Sequence, residues 1–142
     1  MKKIPSFEKN HDILQPGLHI CGTAHGVTTF DLRFKKPNAG DYLSTASAHT
    51  IEHLLATILR NGEKKDDIIY FGPMGCRTGF YLLTVNLNFG EVKNLLISAF
   101  EKVPEIDEIP GSKREECGNF ADHDLDGAKR ECEQYLRILQ AL

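Results

Sequence analysis

No stretch of the 142 residues approaches the roughly eighteen consecutive apolar residues of a membrane-spanning helix. Basic residues form no stripe or run: 17 Lys and Arg are mixed with 20 Asp and Glu, for a formal net charge of −3. Nucleic acid and anionic membranes are therefore not expected partners, because both select clustered cations. Cys21, Cys76, Cys117 and Cys132 lie far apart, with no CxxC pair. That spacing argues against a disulfide framework and leaves reduced thiols, metal ligands or a reactive thiol. Met1-Lys2-Lys3-Ile4-Pro5 has the charge of a signal peptide but no apolar stretch behind it. Repeats, low-complexity tracts, dividing linkers and the glycine fingerprints of nucleotide sites are also missing. The expectation is one compact cytoplasmic domain over residues 1–142, and a 41% hydrophobic composition can fill its core without disulfides.

What is present reads as an α+β fold with an antiparallel sheet and about three main helices. Leu18 to Cys21 and Thr28 to Phe34 are predicted strands, with Gly22 and Gly26 bracketing the turn. The second strand alternates Phe30, Leu32 and Phe34 inward with Asp31, Arg33 and Lys35 on an outer face. Ser44 to Arg60 is predicted helical and closed by Asn61-Gly62; Ile51, Leu54, Leu55, Ile58 and Leu59 form its apolar stripe. Asp67 to Phe71 and Thr78 to Leu87 are further strands, joined by Gly72-Pro73-Met74-Gly75-Cys76. Helices follow over Gly90 to Val103 and Leu125 to Gln140, the latter capped by Asp122 or Asp124.

Two of the six histidines stand four residues apart in His49-Thr50-Ile51-Glu52-His53, an HxxEH motif on the first long helix. Helical rotation puts His49, Glu52 and His53 on one face, nearly opposite the apolar stripe. Two imidazoles one turn apart can capture a metal, and a carboxylate beside them can move protons. Two exposed histidines on a solvated helix would share this pattern. A third ligand is needed, and Cys117 in the Glu116-Cys117-Gly118 loop is the best candidate, although a buried thiol is the plainer reading of it. A His₂Cys set leaves an open position and suits Zn²⁺ or Fe²⁺. Cys76 sits at the tip of a tight turn, where a thiol serves as acid or base, or simply ends a strand.

The motifs together resemble the S-ribosylhomocysteine lyases of the LuxS type, which make the autoinducer-2 precursor. The resemblance runs through Ser6-Phe7-Glu8 with His11, Phe30-Asp31-Leu32-Arg33-Phe34, and His49 to Leu55. It continues through Pro73-Met74-Gly75-Cys76-Arg77-Thr78-Gly79-Phe80-Tyr81, Cys117-Gly118, and His123-Asp124-Leu125-Asp126-Gly127-Ala128. It implies a homodimer with active sites at the interface, and a metal on His49, His53 and Cys117. Fe²⁺ is the implied native ion, with Zn²⁺ as a substitute. Cys76 and Glu52 match the family's acid/base pair, and Ser6, His11 and Arg33 match positions lining the substrate site, partly across the dimer. The implied reaction moves a carbonyl along the ribose of S-ribosylhomocysteine and then eliminates homocysteine. One departure stands out: Tyr70-Phe71-Gly72 occupies the strand where the family carries an acid, implied to receive the amino-acid end of the substrate, and a serine.

Two other readings share some of these features. A small metallopeptidase of the inverted HxxEH type would use Glu52 on a metal-bound water and take a downstream glutamate as third ligand. A metal-stabilised homodimeric binding protein would keep the fold without the activity.

Overall fold

The computed structural model describes all 142 residues. A short helix α1 (Pro5–Glu8) precedes strands β1 (Gly17–Ala24) and β2 (Val27–Arg33). Helix α2 (Thr45–Arg60) follows, then β3 (Ile68–Pro73), β4 (Gly79–Thr84), α3 (Phe89–Lys102) and α4 (Leu125–Gln140). The four strands form one antiparallel sheet in the order β1-β2-β4-β3, and the architecture is the expected α+β.

Period-two alternation puts Phe30, Leu32, Phe80 and Leu82 on the face that meets the helices, and all four are fully buried. Ile51, Leu54, Leu55 and Leu59 of α2 close on that face, joined by Val92, Leu96 and Phe100 of α3. Phe34 stacks on Tyr135 of α4 with centroids 4.1 Å apart, and the Tyr135 hydroxyl donates to the Gly17 carbonyl at 2.9 Å. Burial raises the Tyr135 pKa well above the usual phenol value, so this donor keeps its proton.

Side chains written into the sequence cap each long helix. Ser44 accepts from Ser47 N–H at 3.0 Å, and Asn88 with Glu91 completes a reciprocal capping box at 2.9 and 3.1 Å. Asp124, not Asp122, caps α4, accepting from Gly127 N–H at 2.8 Å.

Three expectations change. The first strand runs on to Ala24, because Gly22 sits at an irregularity inside β1 rather than at the turn. His25 and Gly26, both at positive φ, make the hairpin turn. The fourth strand stops at Thr84, and the left-handed Asn86 turns the chain toward α3. Asp31, Arg33 and Lys35 stand off the helix-facing side as expected, yet all three are buried. Lys9 covers Asp31, Thr78 covers Arg33, and Glu131 with Asp41 holds Lys35. A buried charge persists only with such partners.

Candidate metal centre and substrate cleft

Helix α2 offers His49 and His53 on the face away from its buried stripe, and the chain from Pro110 to Asp122 crosses that face. His49 Nδ1–H donates to the Asp122 carbonyl at 2.8 Å, and His53 Nδ1–H donates to the Pro110 carbonyl at 2.8 Å. Carbonyls only accept, so both rings carry a proton on Nδ1, which leaves Nε2 as the nitrogen that can bind a metal. The Cys117 sulfur lies 3.4 Å from His49 Nε2 and 3.9 Å from His53 Nε2. The two rings cross at 82°, which lets their in-plane lone pairs converge on one point. Two imidazoles and a thiol facing a common centre suit a Zn²⁺ or Fe²⁺ ion. The third member is a thiol, where the peptidase reading requires a glutamate.

His123, whose role the sequence reasoning missed, joins the cluster. Its Nε2 lies 3.9 Å from the Cys117 sulfur, and its ring stacks on His49 at 3.9 Å. The four donor atoms all lie within 4.8 Å of one another. Burial, then the neighbouring His49 and His53, holds His123 below the usual imidazole range. One signal in the sequence could have located it: His123 directly precedes the Asp124 cap, which fixes where α4 begins. Glu52 shares the helix face and is half-buried, outside the donor group.

The remaining site residues gather elsewhere in the same chain. A cleft of about 370 Å³ is lined by Ser6, His11, Arg33 and Cys76, with Met74 and Tyr81 beside them. Arg33 grips Asp31 through two bonds of 3.1 and 2.6 Å and donates to the Thr78 hydroxyl at 2.7 Å. This fixes its third nitrogen 4.0 Å from the Cys76 sulfur, which also meets the Thr78 hydroxyl at 3.1 Å. Cys76 itself is exposed, on the turn between β3 and β4 where Arg77 is left-handed. His11 Nδ1–H donates to the Lys9 carbonyl at 3.0 Å, which leaves Nε2 unengaged by that bond. Tyr81 donates to Ser6 at 3.3 Å and tethers the amino-terminal segment to the sheet.

Comparison with known proteins bears on this constellation. Residues 4–141 match the family model described as S-Ribosylhomocysteinase (LuxS). The chain belongs to that family. It is 46% identical to the S-ribosylhomocysteine lyase of Borrelia garinii subsp. bavariensis, covering 98% of this chain and 93% of the relative. It is 43% identical to that of Finegoldia magna, covering 98% and 92%, and 41% identical to that of Porphyromonas gingivalis, covering 96% and 91%.

Within this LuxS fold, Tyr70 and Gly72 lie against each other on β3. Half-exposed Tyr70 folds back over Gly72, so a side chain at 72 would displace its ring. A second structural fact concerns chain origin. His11 and Cys76 line one cleft of one chain, so they do not need a dimer interface to meet. The clefts that hold Cys76 contain none of the four cluster residues.

Proposed function

We propose that this chain is an S-ribosylhomocysteine lyase, cleaving its substrate to homocysteine and 4,5-dihydroxy-2,3-pentanedione, the autoinducer-2 precursor. Membership of the family over residues 4–141 carries the reading, and the converging imidazoles and thiol of His49, His53 and Cys117 support it. These three would hold the ion, Fe²⁺ natively with Zn²⁺ as a substitute. When bound, the ion supplies Lewis-acid polarisation of the sugar carbonyl, which acidifies the neighbouring C–H bonds.

The protein's own groups then move protons. The Cys76 sulfur and the Glu52 carboxylate take the proton from C2 and return it to C1, while the hydroxyl proton passes from the C2 oxygen to the C1 oxygen; the same exchange from C3 to C2 then carries the carbonyl to C3. Removal of the C4 proton then forms the C4–C5 double bond and breaks the C5–S bond; the homocysteine sulfur leaves and takes up a proton, and the resulting enol tautomerises to the pentanedione. Ser6, His11 and Arg33 orient the sugar. Arg33 is already locked by Asp31 and Thr78, so it loses little freedom on binding.

The Cys76 clefts and the metal cluster lie apart on one chain, so the working unit is a homodimer in which the metal half of one chain meets the Cys76 half of the other. Exposed Ile4, Phe7, Ile20, Ile69 and Tyr70 give that partner an apolar surface to cover. Residues 1–142 act as one catalytic domain, placed in the cytoplasm; no helix is long and apolar enough to cross a membrane.

The test is anaerobic incubation of the Fe²⁺-loaded protein with S-ribosylhomocysteine, assayed for free homocysteine. Release of homocysteine and the pentanedione in equal amounts is expected. Absence of homocysteine from a metal-loaded, folded protein would leave the binding-protein reading in its place.

A further inference from the structure

His123 stands among the candidate ligands, and its surroundings assign it a different part. A ring binds metal through an in-plane lone pair. His49 and His123 lie 3.9 Å apart with their planes only 21° from parallel. Planes so nearly parallel meet far beyond the roughly 2 Å reach of a metal–nitrogen bond, so one ion cannot take both rings. His49 and His53, crossed at 82°, meet no such obstacle.

The hydrogen bonds separate His123 from the ligands independently. His123 Nδ1 faces the Thr50 hydroxyl at 2.9 Å, not a carbonyl. Thr50 is completely buried, and its oxygen already accepts from the Asp124 N–H at 3.0 Å. Its own proton has His123 Nδ1 as its acceptor, and a buried hydroxyl proton without one is costly. An imidazole that accepts at Nδ1 carries its proton on Nε2. That N–H is aimed at the Cys117 sulfur, 3.9 Å away. His49 and His53 present lone pairs to the centre; His123 presents a donor.

We propose that His123 is a positioning residue whose Nε2–H hydrogen-bonds the Cys117 thiolate from outside the coordination sphere. The bond holds the sulfur in place and limits the charge it gives to the ion. Donors to a ligating sulfur tune a metal in this way, and the Thr50–His123–Cys117 chain ties that tuning to α2 and to the start of α4. The inference rests on the assignment of His49, His53 and Cys117 as ligands.

Co²⁺ alone is the probe. The wild-type protein should bind one Co²⁺ per chain, with a thiolate-to-cobalt charge-transfer band and the intense visible bands of a four-coordinate ion. His123→Ala should still bind one, with affinity weakened by about 10–100-fold. Its charge-transfer band should move to longer wavelength, because a sulfur without its donor releases an electron more easily. His123→Gln, which returns an N–H to nearly the same place, should restore the band. If His123→Ala loses stoichiometric binding, or its visible bands collapse to those of a six-coordinate ion, His123 is a ligand and the proposal fails. If the band does not move in His123→Ala, the hydrogen bond does not exist. A wild-type protein without a charge-transfer band would remove the Cys117 assignment itself, a distinct result that takes the proposal with it.

Discussion

Cys76 and Glu52 differ from the metal ligands in what their loss should do. Alanine at His49, His53 or Cys117 removes a donor whose partners are already fixed, so each variant should lose stoichiometric metal on elemental analysis. Cys76→Ala and Glu52→Gln should keep both metal and fold, yet release homocysteine about 10²–10⁴-fold more slowly. Near-normal turnover in Cys76→Ala would contradict the proton-transfer scheme. The effect of Lys9 on stability should not change across neutral pH. Burial pulls its pKa down, but bonds to Asp31 and Cys21 outweigh this and raise it overall. A raised lysine contributes fully below its unfolded pKa and fades only as pH climbs through the folded value. Lys9→Met should therefore lower stability by about 1.5–3 kcal/mol, the range for a hydrogen bond to a charged group, with a flat difference across neutral pH. Chemical denaturation at several pH values checks this, and a difference that vanishes in the neutral range would oppose it. At this scale the sequence was partly legible. His49, Glu52 and His53 declare themselves because one helix carries all three at helical spacing. Cys117 and Cys76 became distinct from ordinary thiols only through the family resemblance. His123 stayed hidden because its meeting with Thr50 depends on the path of the 103–124 loop, which has no periodicity to read.

Helix α4 is the element on which the metal loop hangs. Its Asp124 cap holds the turn that places His123 beside Thr50 and the Asp122 carbonyl against His49. Asp124→Ala should cost about 0.5–2 kcal/mol of stability and weaken metal binding along with it. Gly127 makes the same point sterically. A methyl group there would meet the Asp124 carboxylate and the Ser47 hydroxyl, pushing α4 away from α2. Gly127→Ala should lower both the melting temperature and the metal affinity, measured on the same preparation. Loss of stability with unchanged metal affinity would mean that the loop holds its shape without the helix. Helix ends were legible to within a residue because capping side chains mark them. Strand ends were less so: the irregularity after Ile20 and the left-handed Asn86 shift β1 and β4 through backbone choices that apolar alternation does not encode. The alternation in and after β2 puts its charges off the core face but does not show what buries them: Lys9, Thr78 and Glu131 reach Asp31, Arg33 and Lys35 from distant parts of the chain.

On the scale of the whole molecule, chemistry is divided between two regions of one chain. Ser6, His11, Arg33 and Cys76 share a cleft, and the cluster of His49, His53 and Cys117 lies outside it. The reaction needs both at one sugar, and the proposed dimer brings them together. Subunit mixing tests this most directly. His49→Ala lacks the metal half and Cys76→Ala lacks the proton half, so each homodimer should be inactive. In a two-fold dimer whose sites draw one half from each chain, every heterodimer regains one intact site. After full exchange at equal concentrations, homocysteine release should recover to about a quarter of the wild-type rate, since half the dimers are mixed and each has one working site of two. No recovery, with exchange demonstrated by mass, would show that each chain builds its site alone and would contradict the account.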